Sequence, residues 1–452
     1  MQPDPKRQQV APLTNVNALP EPPTPDGRLG LRALAAMLRH RDILPALEVL
    51  RAGLGDIFRI PLKSFNAVVL SGPEANEFIF DRARDALLWR PEGDPVARLL
   101  RNGVLVQDGA AHDRLRATMA PAIARSAMPR YVGAMTHYTD QVADTWAEGS
   151  TYDMLVEMRK VALLIVFDNL FGVDFTPYLD SLTPAILKAI EYISPGAWVI
   201  SNRFPRPGFA RALAELDSFL YDVIRARRRS PGPADDLLGR LLSDSTLDDD
   251  LVRDQMITML IAGHDTSTAL LAWTLYLLGS HPNVQDRARA EVDSTLGLEA
   301  PTYERLADLR LLDRIVRESL RLYPPIHLGT RTALTDIEFQ GYRIPKGTRV
   351  LYSIYLAHRD PRHWDAPAEF RPERFDSAGG QRHANLTYVP FGGGRRACIG
   401  LSFCQVESKV VLGRLLQRFT LELVERHVRP RMGATLEPRP GVRMIVRARK
   451  VT

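Results

Sequence analysis

The sequence predicts one large, mainly α-helical unit with a small β portion toward one side. Three observations carry this expectation. Helical patterning dominates from residue 72 to about 325, short alternating stretches flank it, and no repeat or long linker divides the 452 residues. A hydrophobic content of 45% supplies ample material for a substantial core.

Taken in chain order, residues 1–28 are rich in proline and lack periodicity, so an irregular arm is expected ahead of a single domain over 29–452. Asp56–Ile60 and Asn66–Leu70 alternate in the manner of a strand pair. The basic run Arg225–Arg229 follows an apolar helical stretch and precedes Ser-Pro-Gly-Pro, which predicts the solvated last turn of a helix, where cations complement the dipole. Met256–Gly279 is the most apolar segment and the longest helix. Its polar interruption at His264–Thr268 would be expensive in lipid, so no membrane span is expected. Ile337–Ile344 reads as strands joined by a turn at Gln340-Gly341. Residues 399–418 return to helical periodicity, and the last 30 predict short strands and turns.

The 59 basic and 53 acidic residues are interspersed and leave a net charge of +6. With no aromatic or helix-turn-helix context beside the basic run, nucleic acid is not an expected partner. Cys398 and Cys404 are the only cysteines, which excludes a disulfide framework and an all-cysteine zinc or iron–sulfur site. A reducing compartment fits, and the N-terminal residues contain no apolar core of signal-peptide length. The expectation is a cytoplasmic protein.

The chemistry concentrates in Phe391–Gly400, directly before the 399–418 helix. Three successive glycines allow backbone to approach something flat and to adopt angles that other residues avoid. Cys398 follows them where a helix begins, and free amides with the positive dipole end lower a thiol's pKa there. At these residues the chain resembles the cytochrome P450 family, whose haem-binding signature is Phe-x-x-Gly-x-Arg-x-Cys-x-Gly. Phe391, Gly394, Arg396, Cys398 and Gly400 fill its fixed positions. The resemblance implies haem b with Cys398 as the thiolate ligand of its iron. Cys404, six residues further along, is assigned to packing.

Other segments carry the same resemblance in the family's order. Glu318 and Arg321 share one helix face. The family's Glu-x-x-Arg pair joins a later arginine, here Arg374, as a structural lock on the cysteine region. Ala262-Gly-His-Asp-Thr266 matches the segment that crosses the oxygen side of the haem. Gly263 would leave room for dioxygen, Asp265 and Thr266 would relay protons, and His264 occupies a variable position given to packing. A bland reading also exists, in which such hydroxyls bond back one turn and bend the helix. His112 and Arg116, together with Arg331 and Arg396, match residues that hold the haem propionates, a task suited to charge-assisted bonds.

What the resemblance implies is a helical prism around a buried haem and a monooxygenase that inserts one atom of O2 into a hydrophobic small molecule. A fatty acid, terpenoid, steroid or polyketide would suit it. Peroxygenase, rearranging and haem-sensor relatives are the alternatives, and the intact Asp265-Thr266 pair argues against the first two. The expected substrate wall includes Met259, Ala262 and Gly263, with segments 86–106, 185–205 (including Trp198), 324–330 and 434–442. No reductase module follows the domain, so a monomer served by a separate ferredoxin or flavodoxin and an NAD(P)H-dependent reductase is expected. Arg114, Arg395, Arg396, Lys409, Arg414 and Arg418 are candidates for steering that donor.

Overall fold

The computed structural model describes residues 18–40, 42–62, 65–91, 93–194, 207–376 and 386–449. A helix of 32 residues, Asp249–Ser280, runs through its centre. It starts where the Asp248 carboxylate accepts from Leu251 N at 2.8 Å, with Asp249 and Asp250 completing an acidic first turn. It stops at the His281-Pro282 step, because the residue before proline disfavours helical angles. Nearly every side is buried, which explains an apolar pattern without a polar face.

The main helical partner, Met154–Phe171, is built in the same way. Asp153 caps Leu155 N at 3.0 Å, and Gly172 ends the helix in the left-handed region with φ 62°. One large hydrophobic cluster joins these helices to Arg310–Leu322 and Leu401–Arg418. Two smaller clusters lie beneath the β portion.

That β portion is a five-stranded sheet in the order Ile57–Leu62, Phe65–Leu70, Arg349–Ser353, Leu328–Ala333, Leu87–Leu88. Its first two strands are the expected pair, and they run antiparallel. The hairpin Ile337–Phe339 with Tyr342–Ile344 also forms, turning through Gln340 at φ 52° and Gly341 at φ 80°. Short strands occupy the C-terminal part, where Arg443–Ala448 pairs with Phe419–Leu423 and Thr151–Asp153. At the other end the first helix, Gly27–His40, packs beside the second, Leu44–Leu54. Ahead of it Pro23 O accepts from Arg59 N at 2.9 Å and Pro20 O from Arg343 N at 2.8 Å. Residues 1–17 of the expected arm lie outside the described residues.

One expectation needs correction. The basic run does end a helix, Phe209–Arg229, but Arg227 is not solvated. Its side chain is only 10% exposed, and it bonds to Asp236 at 2.8 Å and to the carbonyl of Phe171 at 2.7 Å. Asp236 lies beyond the Ser-Pro-Gly-Pro turn and Phe171 on an earlier helix, so the charge run alone could not reveal them.

The segment 101–108 is held from two sides. Asn102 N donates to the Asp254 carboxylate at 3.0 Å and Val104 N to Gln255 Oε1 at 2.7 Å, both on the central helix. Between them Gly103 lies so close to Thr258 that a Cβ would collide with its hydroxyl. At the far end Arg396 reaches back to the Gln107 carbonyl and to Asp108.

Candidate functional site

The cysteine loop is shaped by glycines for a local reason. Gly392 and Gly394 adopt φ 68° and 63°, a region that side chains other than glycine rarely tolerate. A Cβ on Gly393 would meet the ring of Phe80, and one on Gly394 its carbonyl. Phe80, from the chain itself, thus leaves no room for a side chain at Gly393 or Gly394. Cys398 N donates to Phe391 O at 2.8 Å, closing the loop, and the Leu401–Arg418 helix begins three residues later with Gly400 as its cap.

The Cys398 side chain is exposed through an opening, yet protein surrounds it on most other sides. Burial consequently pushes its thiol up, outweighing the Gly400 amide and the Arg116 charge, which pull it down. This corrects the expectation of a lowered pKa: the cysteine precedes the helix, and desolvation exceeds the help of one amide. Cys404 is packed against the core, and burial holds its thiol well above the usual range. Further along the same helix the buried Glu407 accepts from Ser267 Oγ at 2.5 Å, tying it to the central helix. Burial raises that carboxyl to about 8.

In the central helix, every residue from Val252 to Leu275 is buried except Ala262, Gly263 and Thr266. Positions i, i+1 and i+4 share a face, so this strip is where the helix opens. Thr266 Oγ1 donates to Ala262 O at 2.7 Å, one turn back. A Cβ at Gly263 would come within 3.2 Å of Val166, so helix packing as well as open space demands glycine there. Met259, expected in the wall, is 6% exposed and belongs to the core.

Asp265 faces elsewhere. Its Oδ2 accepts from Thr435 Oγ1 at 2.8 Å, and Oδ1 has no partner among the described residues. Burial raises its pKa, opposed by Thr435 and by the charge of Arg159. Arg159 in turn pairs with Glu437 at 2.6 Å. No hydrogen bond joins Asp265 to Thr266 among the described residues, since neighbours on a helix point about 100° apart. His264 is buried, donates Nδ1–H to Leu260 O at 2.7 Å, and is held neutral by a pKa lowered to about 4.

A third group of side chains gathers positive charge. The Arg331 and Arg396 guanidiniums lie 3.5 Å and 4.7 Å from the ring centre of Trp89. Arg396 also pairs with Asp108 at 2.5 Å. Buried His112 bonds Asp113 at 3.0 Å. Arg116 has no hydrogen bond or ion pair with a described residue, although its charge acts on His112, Arg396 and Cys398. Trp89 Nε1 and Arg90 Nε are buried without a hydrogen-bond partner among the described residues. Cations so surplus to the nearby carboxylates, with donors left unused, fit a ligand that brings its own anions. Two haem propionates would meet that requirement, and the exposed Cys398 would be open to an iron. Trp89 and Arg90 escaped sequence reading because their one cue, an aromatic beside an arginine, is common anywhere.

Glu318 sits at the centre of a fourth cluster, fully buried. It takes Arg321 Nε at 2.7 Å and Nη2 at 2.8 Å, Arg371 N at 2.9 Å, and Arg374 Nε at 3.2 Å. Arg321 spends its other donors on the carbonyls of His358, Pro367 and Glu369. The His358 ring, neutral because burial lowers its pKa to about 3, accepts from Val389 N at 2.9 Å, two residues before Phe391. His358 is therefore a connecting residue that the motif did not reveal.

The cytochrome P450 family model matches residues 22–444. The chain belongs to the cytochrome P450 family. It is a haem enzyme and a monooxygenase. The Mycobacterium tuberculosis protein named cytochrome P450 139 is 32% identical over 437 residues, covering 92% of this chain and 97% of that one. Cyclooctat-9-en-7-ol 5-monooxygenase of Streptomyces melanosporofaciens is 30% identical over 406 residues, 84% of each chain. Among solved structures, retinoic acid-bound cyanobacterial CYP120A1 superposes with TM-score 0.84 at 28% identity, covering 96% of this chain and 100% of that one. The cytochrome P450DA haem domain gives 0.83 at 28% identity, with coverage of 96% and 98%.

Several cations expected to steer the electron donor of this P450 are already engaged. Arg414 and Arg418 both bond Asp140 at 2.8 Å, and Lys409 Nζ donates to Leu306 O at 2.8 Å. Arg395 pairs with Asp113 at 2.7 Å while remaining 57% exposed, and Arg114 is exposed. No described helix is long and apolar enough to cross a membrane. Trp198 lies outside the described residues, as does the 195–205 part of the expected wall.

Proposed function

We propose that this P450 oxygenates an apolar terpenoid, with Cys398 as the thiolate ligand of haem b and His112, Arg116, Arg331 and Arg396 as partners of its propionates. The observation that carries the oxygenase reading is the open strip Ala262, Gly263, Thr266 in an otherwise buried helix, with a buried carboxyl one residue away. The terpenoid class rests on the names of two similar proteins, one a cyclooctat-9-en-7-ol monooxygenase and one bound to retinoic acid. Titrating the ferric protein with terpenes, fatty acids, steroids and polyketides tests the substrate. A low- to high-spin Soret shift with terpenes at micromolar concentration is the expected result, and a shift only with another class sinks the assignment.

The bound haem supplies the reductive activation of dioxygen, using electrons from a separate ferredoxin or flavodoxin served by an NAD(P)H-dependent reductase. The chain's own residues manage protons and access. Thr266 can turn its hydroxyl from Ala262 O toward a ligand at the cost of one hydrogen bond, about 1 kcal/mol. Asp265, raised by burial, holds a proton near neutral pH more readily than a solvated carboxyl. Its hydrogen bond from Thr435 keeps it aimed away from the strip, so it must rotate or act through water to serve Thr266.

Opposite phenotypes follow from that division. Thr266→Ala should preserve substrate binding and first reduction while diverting electrons into hydrogen peroxide. Asp265→Asn keeps the Thr435 contact and should slow the whole turnover by about 10²–10⁴-fold, the usual loss for a removed acid–base group. Nicotinamide oxidation, peroxide and product are measured together. Unchanged coupling in the threonine variant would show that protons arrive by another route.

A further inference from the structure

The first helix, Gly27–His40, has three faces where a surface helix ordinarily has two. Leu29, Ala33 and Met37, at i, i+4 and i+8, pack into the cluster shared with the second helix and the sheet. Leu31, Leu34 and Leu38, at i, i+3 and i+7, stand outside it with exposures of 68%, 45% and 65%. Three leucines in one row of one helix make an apolar ridge, which marks a contact surface rather than scattered surface residues.

Along one edge of the ridge run Arg28, Arg32 and Arg39, all exposed. None of them makes a hydrogen bond or ion pair with a described residue, whereas surface arginines elsewhere pair with carboxylates, as Arg228 does with Asp249 and Arg447 with Glu422. The nearby acids are committed: Asp26 caps Leu29 N at 2.7 Å, Glu21 pairs with Arg59, buried Asp42 takes Leu44 N and Met432 N, and Glu48, which shares a groove with Arg32, bonds to Tyr355. Both the leucines and the cations are thus left without partners on the same helix.

We infer that this helix docks the protein on an anionic lipid bilayer, its leucines in the acyl boundary and its arginines on headgroup phosphates. A bilayer offers an apolar interior beside a rim of negative charge and needs no shape complementarity, which matches a straight ridge with a basic edge. Arginine binds phosphate through two parallel bonds, so the cations add directed contacts to the attraction of sign. A second copy fits poorly, because it would bring three like-charged arginines to the same seam. Residues 1–17 fit poorly too, for Asp4 is their one acid against Lys6 and Arg7.

Full-length holoprotein is sedimented with vesicles of phosphatidylglycerol in phosphatidylcholine, with pure phosphatidylcholine vesicles, and with each at low and high salt. Partition into the anionic vesicles should exceed partition into the neutral ones and should weaken as salt screens the charges. Leu31→Ser with Leu38→Ser should reduce binding more than ten-fold, and each arginine-to-glutamine change about five-fold, while the reduced carbon-monoxide spectrum stays unaltered as a check on folding. No binding to anionic vesicles, or binding that survives both sets of changes, overturns the inference. So does concentration-dependent dimerisation that the leucine changes abolish, which would make a second copy the occupant. Binding that first arises on deleting residues 1–17 overturns it as well, by assigning the ridge to that segment.

Discussion

Cys398→Ser is expected to abolish the strongly red-shifted Soret band of the reduced carbon-monoxide complex, and monooxygenase turnover with it. An oxygen ligand cannot replace the electron donation of a thiolate sulfur. The effect should be all-or-none spectrally, because the geometry offers no substitute: Cys404 is packed in the core, with its thiol held protonated by burial. Cys404→Ser should therefore leave the band in place. A red-shifted band persisting in Cys398→Ser would mean that the ligand assignment is wrong. Because the iron takes the thiolate, haem uptake should also release a proton from the protein, measurable as tighter loading at higher pH.

Glu318→Ala is the second large effect, and it should deny the cell haem-loaded protein. The carboxylate faces a fully buried Arg321 and an Arg374 that is 9% exposed, so its removal strands two guanidiniums. Breaking a buried pair in this way costs about 3–5 kcal/mol, a large fraction of a domain's stability. The damage should also travel. Arg321 orients the carbonyl of His358, and the His358 ring holds Val389 at the head of the cysteine loop. Haem content per polypeptide and the unfolding midpoint are the two measurements. Wild-type haem loading in Glu318→Ala would show that the loop does not depend on this cluster. His358→Ala, which leaves the charges paired, should lower haem content with a smaller loss of stability.

Local chemistry made much of this molecule legible. The turn at Gln340-Gly341 was readable because its positive φ angles select such residues, and the central helix because an apolar run of that length has few other fates. Glu318, Arg321 and Arg374 meet as the family resemblance implies. What stayed hidden depends on partners far along the chain. Asp265 turns toward Thr435, 170 residues away, and Arg418 is neutralised by Asp140, 278 residues away. Sequence displays a charge but not the opposite charge that the fold delivers. The direction of the Cys398 shift was missed for a related reason: helix proximity can be read from residues, whereas desolvation is a property of everything packed around them.

The double fastening of residues 101–108 bears on the thermodynamics of ligand selection. A segment that overlaps the expected wall residues 86–106, tied by its amides to Asp254 and Gln255 and held at its far end by Arg396, loses its freedom when the chain folds rather than when a guest arrives. Ordering a loose loop normally drains affinity, and here that part of the cost is already met. Discrimination along this stretch should then be steric, with small changes in ligand shape giving steep changes in affinity. Variants that cut the tether, such as Gln255→Ala, should blur that selectivity through a less favourable binding entropy, while the apolar contacts and their heat-capacity signature persist.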